Sequence, residues 1–356
     1  MQPASGVPIP SRRMRALVVG APPEGTRVES VPWPAAASGQ VLVRVIAAGV
    51  NRADVMIRDG ALDHPLGGNR GLGRECAGTV VETGSRERRW RVGDFVCGVT
   101  EEGAFAEVAV ARSDHLMPVP AALGPAQAAA VPIAAATTVA HLIGLARLRP
   151  GDAVLIHGGA SGFGSLAVQI ARHLGLRVIA TAGTDEKVAL CRRLGATAVN
   201  HRSADFVAAT LDVTRGRGVK AVLDVVGGPY LDRNIACLAS HGRLISIGYQ
   251  GDWTGTVDLR GLQSRLATIT AASFSRQSPR RRAQVLRSVE SRIWPLLASG
   301  HIRPLVHGLY GLEDIASAFG ALGGDEVMGK LVVSPVWAGP PASAAAVAWP
   351  TPTGDE

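Results

Sequence analysis

Cysteine is scarce in this 356-residue chain, and its spacing carries no metal or redox signature. The four cysteines contain no Cys-x-x-Cys pair, and no secretory signal precedes them. The N-terminal MQPASGVPIPSRR lacks the apolar core of a signal peptide, so we interpret it as a loose leader. We therefore expect four free thiols in a cytoplasmic protein.

Lysine is also rare, although the chain is basic. Only three of the 37 basic residues are lysine, so the net charge of +8 depends on arginine. The arginines are scattered apart from two clusters, Arg86–Arg91 and Arg276–Arg282, which favours compositional bias and a solvated basic surface. A nucleic-acid-binding face is the less favoured alternative. We expect a small-molecule partner.

No segment has the composition of a membrane span. The apolar run at 126–146 is long enough to cross a bilayer, but it is mostly alanine and contains Pro132 and His141. Insertion depends on leucine, isoleucine and phenylalanine, which are sparse here. We expect a pair of buried helices and no membrane contact.

Two regions of the chain differ in their pattern. Up to about residue 125, short apolar runs alternate with glycine and aspartate, which predicts a β-rich unit. From about Thr137 to Phe274, apolar strands alternate with helical stretches, which is typical of a parallel sheet covered on both faces. The predicted fold class is therefore α/β, with a doubly wound Rossmann domain. The Ala/Pro-rich segment 336–356 is predicted to be disordered.

A glycine-rich turn separates the predicted strand VLIH from the predicted helix SLAVQIARHLG. It reads Gly-Gly-Ala-Ser-Gly-Phe-Gly over residues 158–164. Small residues let the backbone approach a pyrophosphate, and the helix N-terminus supplies free N–H groups. Gly164 allows close packing of helix and strand. In this strand–turn–helix setting a dinucleotide site is favoured over a purely structural turn.

The acidic residue that usually follows the second strand of such a site is missing. NAD-binding sites place Asp or Glu there, on the ribose 2′-hydroxyl. Residues 181–184 are instead small and uncharged. Lys187 follows in the first turn of the next helix, and Arg202 follows the next strand, so both can reach a 2′-phosphate. The sequence predicts NADPH, with an ordinary surface lysine at 187 as the alternative.

Several ordered motifs accompany this turn, and residues 14–335 resemble the medium-chain dehydrogenase/reductases. The resemblance is to the zinc-free quinone oxidoreductase (zeta-crystallin-like) branch, and NRAD and the C-terminal third are most similar to its p53-inducible subgroup. The motifs are AAGVNRADVMIRDG, Gly73-x-Glu75-x-x-Gly78, RVGDFVCG, LRPGDAVLIHGGASGFG, TAGTDEKVALCRRLGA, VLDVVGG, GRLISIG and GKLVV.

The resemblance implies two domains with an active-site cleft between them. A GroES-like β-rich catalytic domain would comprise residues 1–130 and 277–335, and the inserted Rossmann domain would comprise residues 131–276. A homodimer through edge pairing of residues 266–274 is also implied. Zinc-containing relatives carry Cys or an equivalent ligand near position 51 and His before Glu75, whereas this chain has Asn51 and Arg74. No metal is expected.

Site residues are also implied by the resemblance. Asn51 matches a residue near the nicotinamide and is the predicted catalytic residue. The predicted substrate-binding residues are Met56, Leu62, Tyr249 and Phe274. The predicted cofactor contacts are Thr137, Gly158, Ala160, Ser161, Gly162, Phe163, Gly164, Gly183, Lys187, His201, Arg202, Ser246, Ile247, Gly248, Met328, Gly329 and Lys330.

The predicted substrate pocket departs from the family pattern. Relatives often have tyrosines at the positions of Met56 and Leu62, so this pocket lacks an evident proton donor, and ordinary core packing is an alternative role for both residues. Tyr249 is a candidate donor, with packing or a ribose contact as its other role. We expect metal-free hydride transfer to an electrophilic quinone. The alternatives are an enoyl or 2-alkenal C=C reductase and a non-catalytic NADPH-binding regulatory or structural protein.

Overall fold

The computed structural model describes residues 12–20, 25–62, 71–101 and 103–337. Most of the predicted leader, and the predicted disordered tail beyond residue 337, lie outside the described residues. The strands are β1 (Arg13–Val19), β2 (Thr26–Pro32), β3 (Gln40–Gly49), β4 (Glu75–Thr83), β5 (Phe95–Val99), β6 (Val108–Arg112), β7 (Leu116–Pro118), β8 (Ala153–Ile156), β9 (Arg177–Ala182), β10 (Thr197–Asn200), β11 (Val219–Asp224), β12 (Leu238–Ser246), β13 (Thr268–Ala271), β14 (Val306–Gly311) and β15 (Lys330–Ser334).

The helices alternate with these strands mainly in the second half of the chain. The α-helices are α1 (Arg52–Arg58), α2 (Pro125–Ala129), α3 (Pro132–Thr138), α4 (Gly162–His173), α5 (Asp185–Arg193), α6 (Phe206–Val213), α7 (Leu231–Cys237), α8 (Leu259–Arg265), α9 (Pro279–Arg292), α10 (Trp294–Ala298) and α11 (Ile315–Ala321). A π-helical turn, Val139–Leu145, continues α3.

A six-stranded parallel sheet has the strand order β10-β9-β8-β11-β12-β13. Alternate residues of β8 serve opposite faces because side chains of a strand point alternately to its two sides. Val154 and Ile156 pack with residues of α4 and α5, whereas Leu155 packs with residues of α6 and α7. This covered sheet confirms the predicted doubly wound domain. The strand order reverses between β8 and β11, which places a ligand crevice at their carboxyl ends.

A second, larger sheet combines strands from both ends of the described chain. Its order is β14-β15-β3-β4-β5-β7, with β6 also paired to β3. The C-terminal β15 runs antiparallel to β3, with Val332 opposite Gly49. The β-rich, GroES-like part of the predicted fold class is thereby confirmed. The domain boundaries near 130 and 276 stay predictions.

The alanine-rich stretch Pro125–Leu145 packs against β3 and β4 of the larger sheet and against helix α4. It is long and apolar enough to pass as a membrane span, but 72% of its apolar window is buried inside the protein. Its alanines share one core cluster with residues of α4 and α9. Buried helices were expected here and are found, as α2, α3 and the π-helical turn.

Strand β13 lies at one edge of the parallel sheet, within the segment 266–274 that was predicted to be an edge. Its four residues are partly or fully exposed, and the nearby Leu259 and Leu266 are 72% and 61% exposed. An unpaired edge with apolar neighbours suits pairing with a second chain. The homodimer stays a prediction.

Candidate active site

The glycine-rich turn joins β8 to α4 at the crevice. The Ser161 hydroxyl accepts a hydrogen bond from the Gly164 N–H at 2.9 Å, so Ser161 caps the helix. Gly158 has φ +67°, a conformation that favours glycine. A Cβ on Gly164 would lie 2.1 Å from the Gly158 carbonyl oxygen. Only glycine allows this close approach between the turn and the first residues of the helix.

The start of β15 is attached directly to this turn. The Gly329 N–H donates to the Ala160 carbonyl at 2.8 Å, and Ser161 forms an isolated parallel bridge with Gly329. A Cβ on Gly162 would lie 2.8 Å from Cδ and 3.0 Å from Cα of Lys330. The predicted cofactor residues of the turn and of the C-terminal loop therefore form one continuous surface.

A buried polar cluster lies beside this attachment and centres on Asn51. The Lys330 Nζ donates to Asn51 Oδ1 at 2.7 Å and lies 2.6 Å from Glu75 Oε1. The Asn51 Nδ2 donates to the same Glu75 oxygen at 2.9 Å. The second oxygen of Glu75 accepts the Ile133 N–H at 2.7 Å. The Asn51 amide is thereby held on both sides by buried charged groups.

A second ion pair adjoins this cluster. Asp54 Oδ2 accepts the Asn51 backbone N–H at 2.8 Å, and Asp54 Oδ1 lies 3.6 Å from Arg74 Nε. Arg74 also donates to the Ser275 hydroxyl at 2.7 Å. Complete burial raises the pKa of Asp54, although the Arg74 charge opposes the shift. Two cations and two carboxylates thus surround Asn51.

This donor set does not suit a zinc ion. Arg74 occupies the position before Glu75 where zinc-containing relatives would need a histidine, and its positive charge repels a metal cation. Lys330 already contacts Glu75 with a second positive charge. In the described part of the chain, no group of three or more His, Cys, Asp or Glu side chains could hold a metal ion. All four cysteines are buried and free.

The structure brings Lys187 and Arg202, which are predicted to reach a 2′-phosphate, close to the predicted cofactor contacts Gly183 and His201. The Arg202 guanidinium lies across Gly183, where an added Cβ would be 3.3 Å from Arg202 Nε and 3.4 Å from His201 Nε2. Lys187 lies in the first turn of α5, whose N-cap Thr184 accepts its backbone N–H at 3.3 Å. Burial and the nearby Arg202 charge lower the pKa of Lys187. Residues 181–184 thus carry no carboxylate, and two cations, Lys187 and Arg202, lie beside them. We call these two side chains the cationic cradle.

The remaining predicted cofactor residues lie at three other places in the fold. Ile247 follows β12 and donates its N–H to the Asp224 carbonyl at 2.8 Å. Gly248 lies against Val225, since a Cβ added to Gly248 would be 3.3 Å from the Val225 Cα. Ser246 and Gly248 thus flank the carboxyl ends of β11 and β12. Thr137 is partly exposed on the otherwise buried α3. Met328 donates its N–H to His307 Nδ1 at 3.3 Å.

The predicted substrate residues are spread more widely. Leu62 donates its N–H to the Met56 carbonyl at 3.1 Å, so these two lie together and are both partly exposed. Tyr249 stacks on Trp253 with ring centroids 4.2 Å apart. Phe274 is 3% exposed and belongs to the core cluster that also contains residues of α3 and α9. Its placement favours packing, because little of its surface is open to a ligand.

Sequence reasoning missed several polar residues of the site. Glu75 and Asp54 lie inside the recognised motifs, but nothing in the sequence marks either as a partner of Asn51. The structure also shows why Gly49 is glycine, since a Cβ there would lie 2.6 Å from Glu75 Oε1. His157 is fully buried between Thr181 Oγ1 at 2.8 Å and Asn234 Oδ1 at 2.7 Å. Burial lowers its pKa to about 4. Its neutral imidazole links Thr181 near the end of β9 to Asn234 of α7.

Two family models match this chain. The one described as Alcohol dehydrogenase GroES-like domain matches residues 37–121, and the one described as Zinc-binding dehydrogenase matches residues 162–291. A solved alcohol dehydrogenase superfamily protein from Novosphingobium aromaticivorans is 30% identical, with a TM-score of 0.80 and 90% and 99% of the two chains covered. The chain belongs to the medium-chain dehydrogenase/reductase family. This protein is therefore an oxidoreductase by family.

Quinone oxidoreductases are among the solved structures similar to this dehydrogenase/reductase. The enzyme from Pseudomonas syringae pv. tomato DC3000 is 28% identical, with a TM-score of 0.81 and coverage of 91% of this chain and 100% of that one. The Escherichia coli quinone oxidoreductase complexed with NADPH is 28% identical, with a TM-score of 0.78 and coverage of 91% and 99%. The quinone-oxidoreductase-like branch is thus confirmed, whereas the p53-inducible subgroup stays a prediction.

The curated relatives that match this chain include much longer synthases. Highly-reducing polyketide synthase 1 of Aureobasidium melanogenum is 32% identical over 83% of this chain and 13% of its own length. The phthioceranic/hydroxyphthioceranic acid synthase of Mycobacterium tuberculosis (strain ATCC 25618 / H37Rv) is 34% identical over 83% of this chain and 14% of its own length. This medium-chain dehydrogenase/reductase thus spans less than one-sixth of either relative.

Proposed function

We propose that this protein is an NADPH-dependent reductase that delivers hydride, without a metal, to a quinone-type acceptor. The observation that carries the proposal is the charge-balanced cluster around Asn51, in which the cations Lys330 and Arg74 lie where zinc-containing relatives would carry their metal ligands. Such a cluster offers no open Lewis-acid position. An acceptor that is already electrophilic needs least additional polarisation, and quinones have this property.

The cofactor would lie along the surface formed by the turn, the C-terminal loop and the cationic cradle. The open N-terminus of α4 would hold the pyrophosphate, and Lys187 with Arg202 would hold the 2′-phosphate. When bound there, NADPH supplies the hydride. Asn51, fixed by Lys330 and Glu75, would orient the acceptor or the ribose beside it. Water is the proposed proton source, with Tyr249 as the alternative.

The test is oxidation of NADPH and of NADH, followed by the loss of reduced-nicotinamide absorbance, with a naphthoquinone, phenanthrenequinone and a conjugated enone. Quinone turnover with a preference for NADPH supports the proposal. Turnover of the enone alone would shift the function to C=C reduction. Tight NADPH binding without turnover of any acceptor would contradict the catalytic proposal and favour a non-catalytic role.

The second candidate function is reduction of the C=C bond of an enone or enoyl thioester. It is favoured by the segments of polyketide synthases that match this chain, one of them described as highly reducing. The apolar pair Met56 and Leu62 would suit an aliphatic acceptor. A panel of 2-alkenals and enoyl thioesters in the same assay separates the two functions, because a C=C reductase turns them over faster than it turns over quinones.

We also propose a cytoplasmic homodimer joined through β13. The partly exposed strand edge and the exposed Leu259 and Leu266 support this arrangement. Light scattering coupled to size-exclusion chromatography measures the mass of the particle. Ala272 donates its N–H to Ser246 of β12, so the N–H of the preceding Ala271 faces the open edge. An Ala271→Pro variant, which removes that donor, should shift a dimer towards monomer, and a monomeric wild type would contradict the proposal.

A further inference from the structure

The loop between α11 and β15 reaches across to the cationic cradle of the Rossmann domain. In this loop, residues 323–326, the Asp325 carboxylate contacts the Arg202 guanidinium through two parallel hydrogen bonds. Arg202 Nη1 donates to Oδ2 and Nη2 donates to Oδ1, both at 2.8 Å. The pair joins residues 123 positions apart, and both side chains are more than half exposed.

The same loop also contacts the other cation of the cradle. The Lys187 Nζ donates to the Gly324 carbonyl at 3.2 Å. The Asp325 charge also acts on Lys187. It favours the protonated lysine and so opposes the lowering of the Lys187 pKa by burial. Both side chains proposed to bind the 2′-phosphate are therefore already engaged by one short segment of the catalytic domain.

A carboxylate and a phosphate present similar pairs of oxygens to a guanidinium. Arginine binds either group through two parallel N–H···O bonds, so the two ligands compete for one fork of donors. Asp325 also carries a negative charge that would repel an incoming phosphate at this short distance. The adjacent Gly323 and Gly324 leave the loop backbone free to move away, since glycine tolerates many conformations.

We propose that Asp325 is an internal competitor of the 2′-phosphate, which occupies Arg202 in the free protein and must leave it when NADPH binds. The inference rests on the proposed 2′-phosphate site at Lys187 and Arg202. Asp325 thereby determines cofactor specificity, because its displacement opposes the binding of NADPH and not that of NADH. The preference of the wild type for NADPH is then smaller than the two cations alone would allow.

The test compares Asp325→Asn with the matched control Glu326→Gln, which removes one negative charge from the next position of the same exposed loop. Dissociation constants of the full-length protein are measured by titration calorimetry for 2′,5′-ADP and 5′-AMP, and by nicotinamide fluorescence for NADPH and NADH, all at one ionic strength. We expect Asp325→Asn to bind 2′,5′-ADP and NADPH about three- to fivefold more tightly, which is the scale of one exposed ion pair. The affinities of Asp325→Asn for NADH and 5′-AMP should equal those of the wild type. Glu326→Gln should increase the affinity for 2′,5′-ADP and NADPH less than Asp325→Asn does.

The outcomes separate this inference from the site on which it rests. If the wild type binds 2′,5′-ADP no more tightly than 5′-AMP, the proposed 2′-phosphate site itself is wrong. If the wild type prefers 2′,5′-ADP but Asp325→Asn leaves that affinity unchanged or weakens it, the site stands and the competitor is overturned. A weakened affinity would mean that Asp325 orients Arg202 for the phosphate.

Discussion

Two pairs of cations lie along the proposed cofactor site, and the protein surrounds them differently. The side chains of Arg74 and Lys330 are 14% and 5% exposed and face the fully buried Asp54 and Glu75. Arg202, beside Lys187, is 55% exposed and faces an equally exposed carboxylate. The inner ion pairs, Arg74–Asp54 and Lys330–Glu75, are needed for stability, because removing one partner would leave a buried charge without water or a counter-ion. The outer pair can exchange its partner at little cost.

The largest effect on stability is expected from removing Lys330, the less exposed of the two inner cations. Lys330→Met leaves Glu75 buried without its cation, and we expect the free energy of unfolding to fall by about 3–5 kcal/mol in chemical denaturation. The double variant Glu75→Gln/Lys330→Met serves as the control and should recover much of that loss, because no unpaired charge remains. A single variant as stable as the wild type would mean that the pair is solvated.

Buried His157 extends the comparison to pH. Its folded-state pKa of about 4 lies below the ordinary 6.5, so the unfolded chain binds more protons between these values. The stability that its neutral form contributes is complete above about pH 6.5 and is lost as the pH falls towards 4, by about 3 kcal/mol in total. Denaturation of the wild type and of His157→Gln across this range isolates the effect. The difference between the two should shrink as the pH falls, and a constant difference would refute it.

A smaller loss of stability is expected at Gly162, where the glycine-rich turn contacts Lys330. Gly162→Ala places a Cβ 2.8 Å from Lys330 Cδ, so the lysine must shift from Asn51 and Glu75. We expect a loss of about 1–3 kcal/mol in unfolding free energy, as for other overpacked sites, together with weaker NADPH binding. Gly320→Ala is the control, since nothing lies within 4 Å of its added Cβ. Equal stability of both variants would show that Lys330 adapts freely.

Removing Arg202 from its exposed pair with Asp325 should weaken NADPH binding and leave the stability of the protein unchanged. Arg202→Gln removes an exposed guanidinium, and we expect no measurable change in unfolding temperature. The affinity for NADPH should fall about tenfold, because a charge-assisted contact to the 2′-phosphate is lost, whereas the affinity for NADH should hold. Arg260→Gln provides the control, since Arg260 forms a comparable exposed pair with Asp258 away from the crevice. Loss of NADH affinity in Arg202→Gln would place Arg202 elsewhere on the cofactor.

Local features of the site were predictable because they depend on neighbouring residues. The glycine spacing of residues 158–164 indicates a strand–turn–helix, and the structure starts α4 at Gly162 with Ser161 as its cap. The small residues at the end of β9 predict space for a phosphate, and the structure places Lys187, His201 and Arg202 close to Gly183. The phosphate site itself stays a prediction. Phe274 was harder to assign, because an apolar residue carries the same signal in a pocket and in a core.

The covered parallel sheet and the glycine-rich turn before α4 could be predicted from the sequence, because they follow from periodicity and from spacing within a few dozen residues. The pairing of the charged side chains could not, because it depends on how distant segments fold together. Lys330 contacts Asn51 across 279 positions because β15 returns to pair with β3, and Asp325 meets Arg202 because the loop before β15 spans the two domains. Such contacts leave no local pattern, since the sequence around each residue does not show which distant residue it will meet.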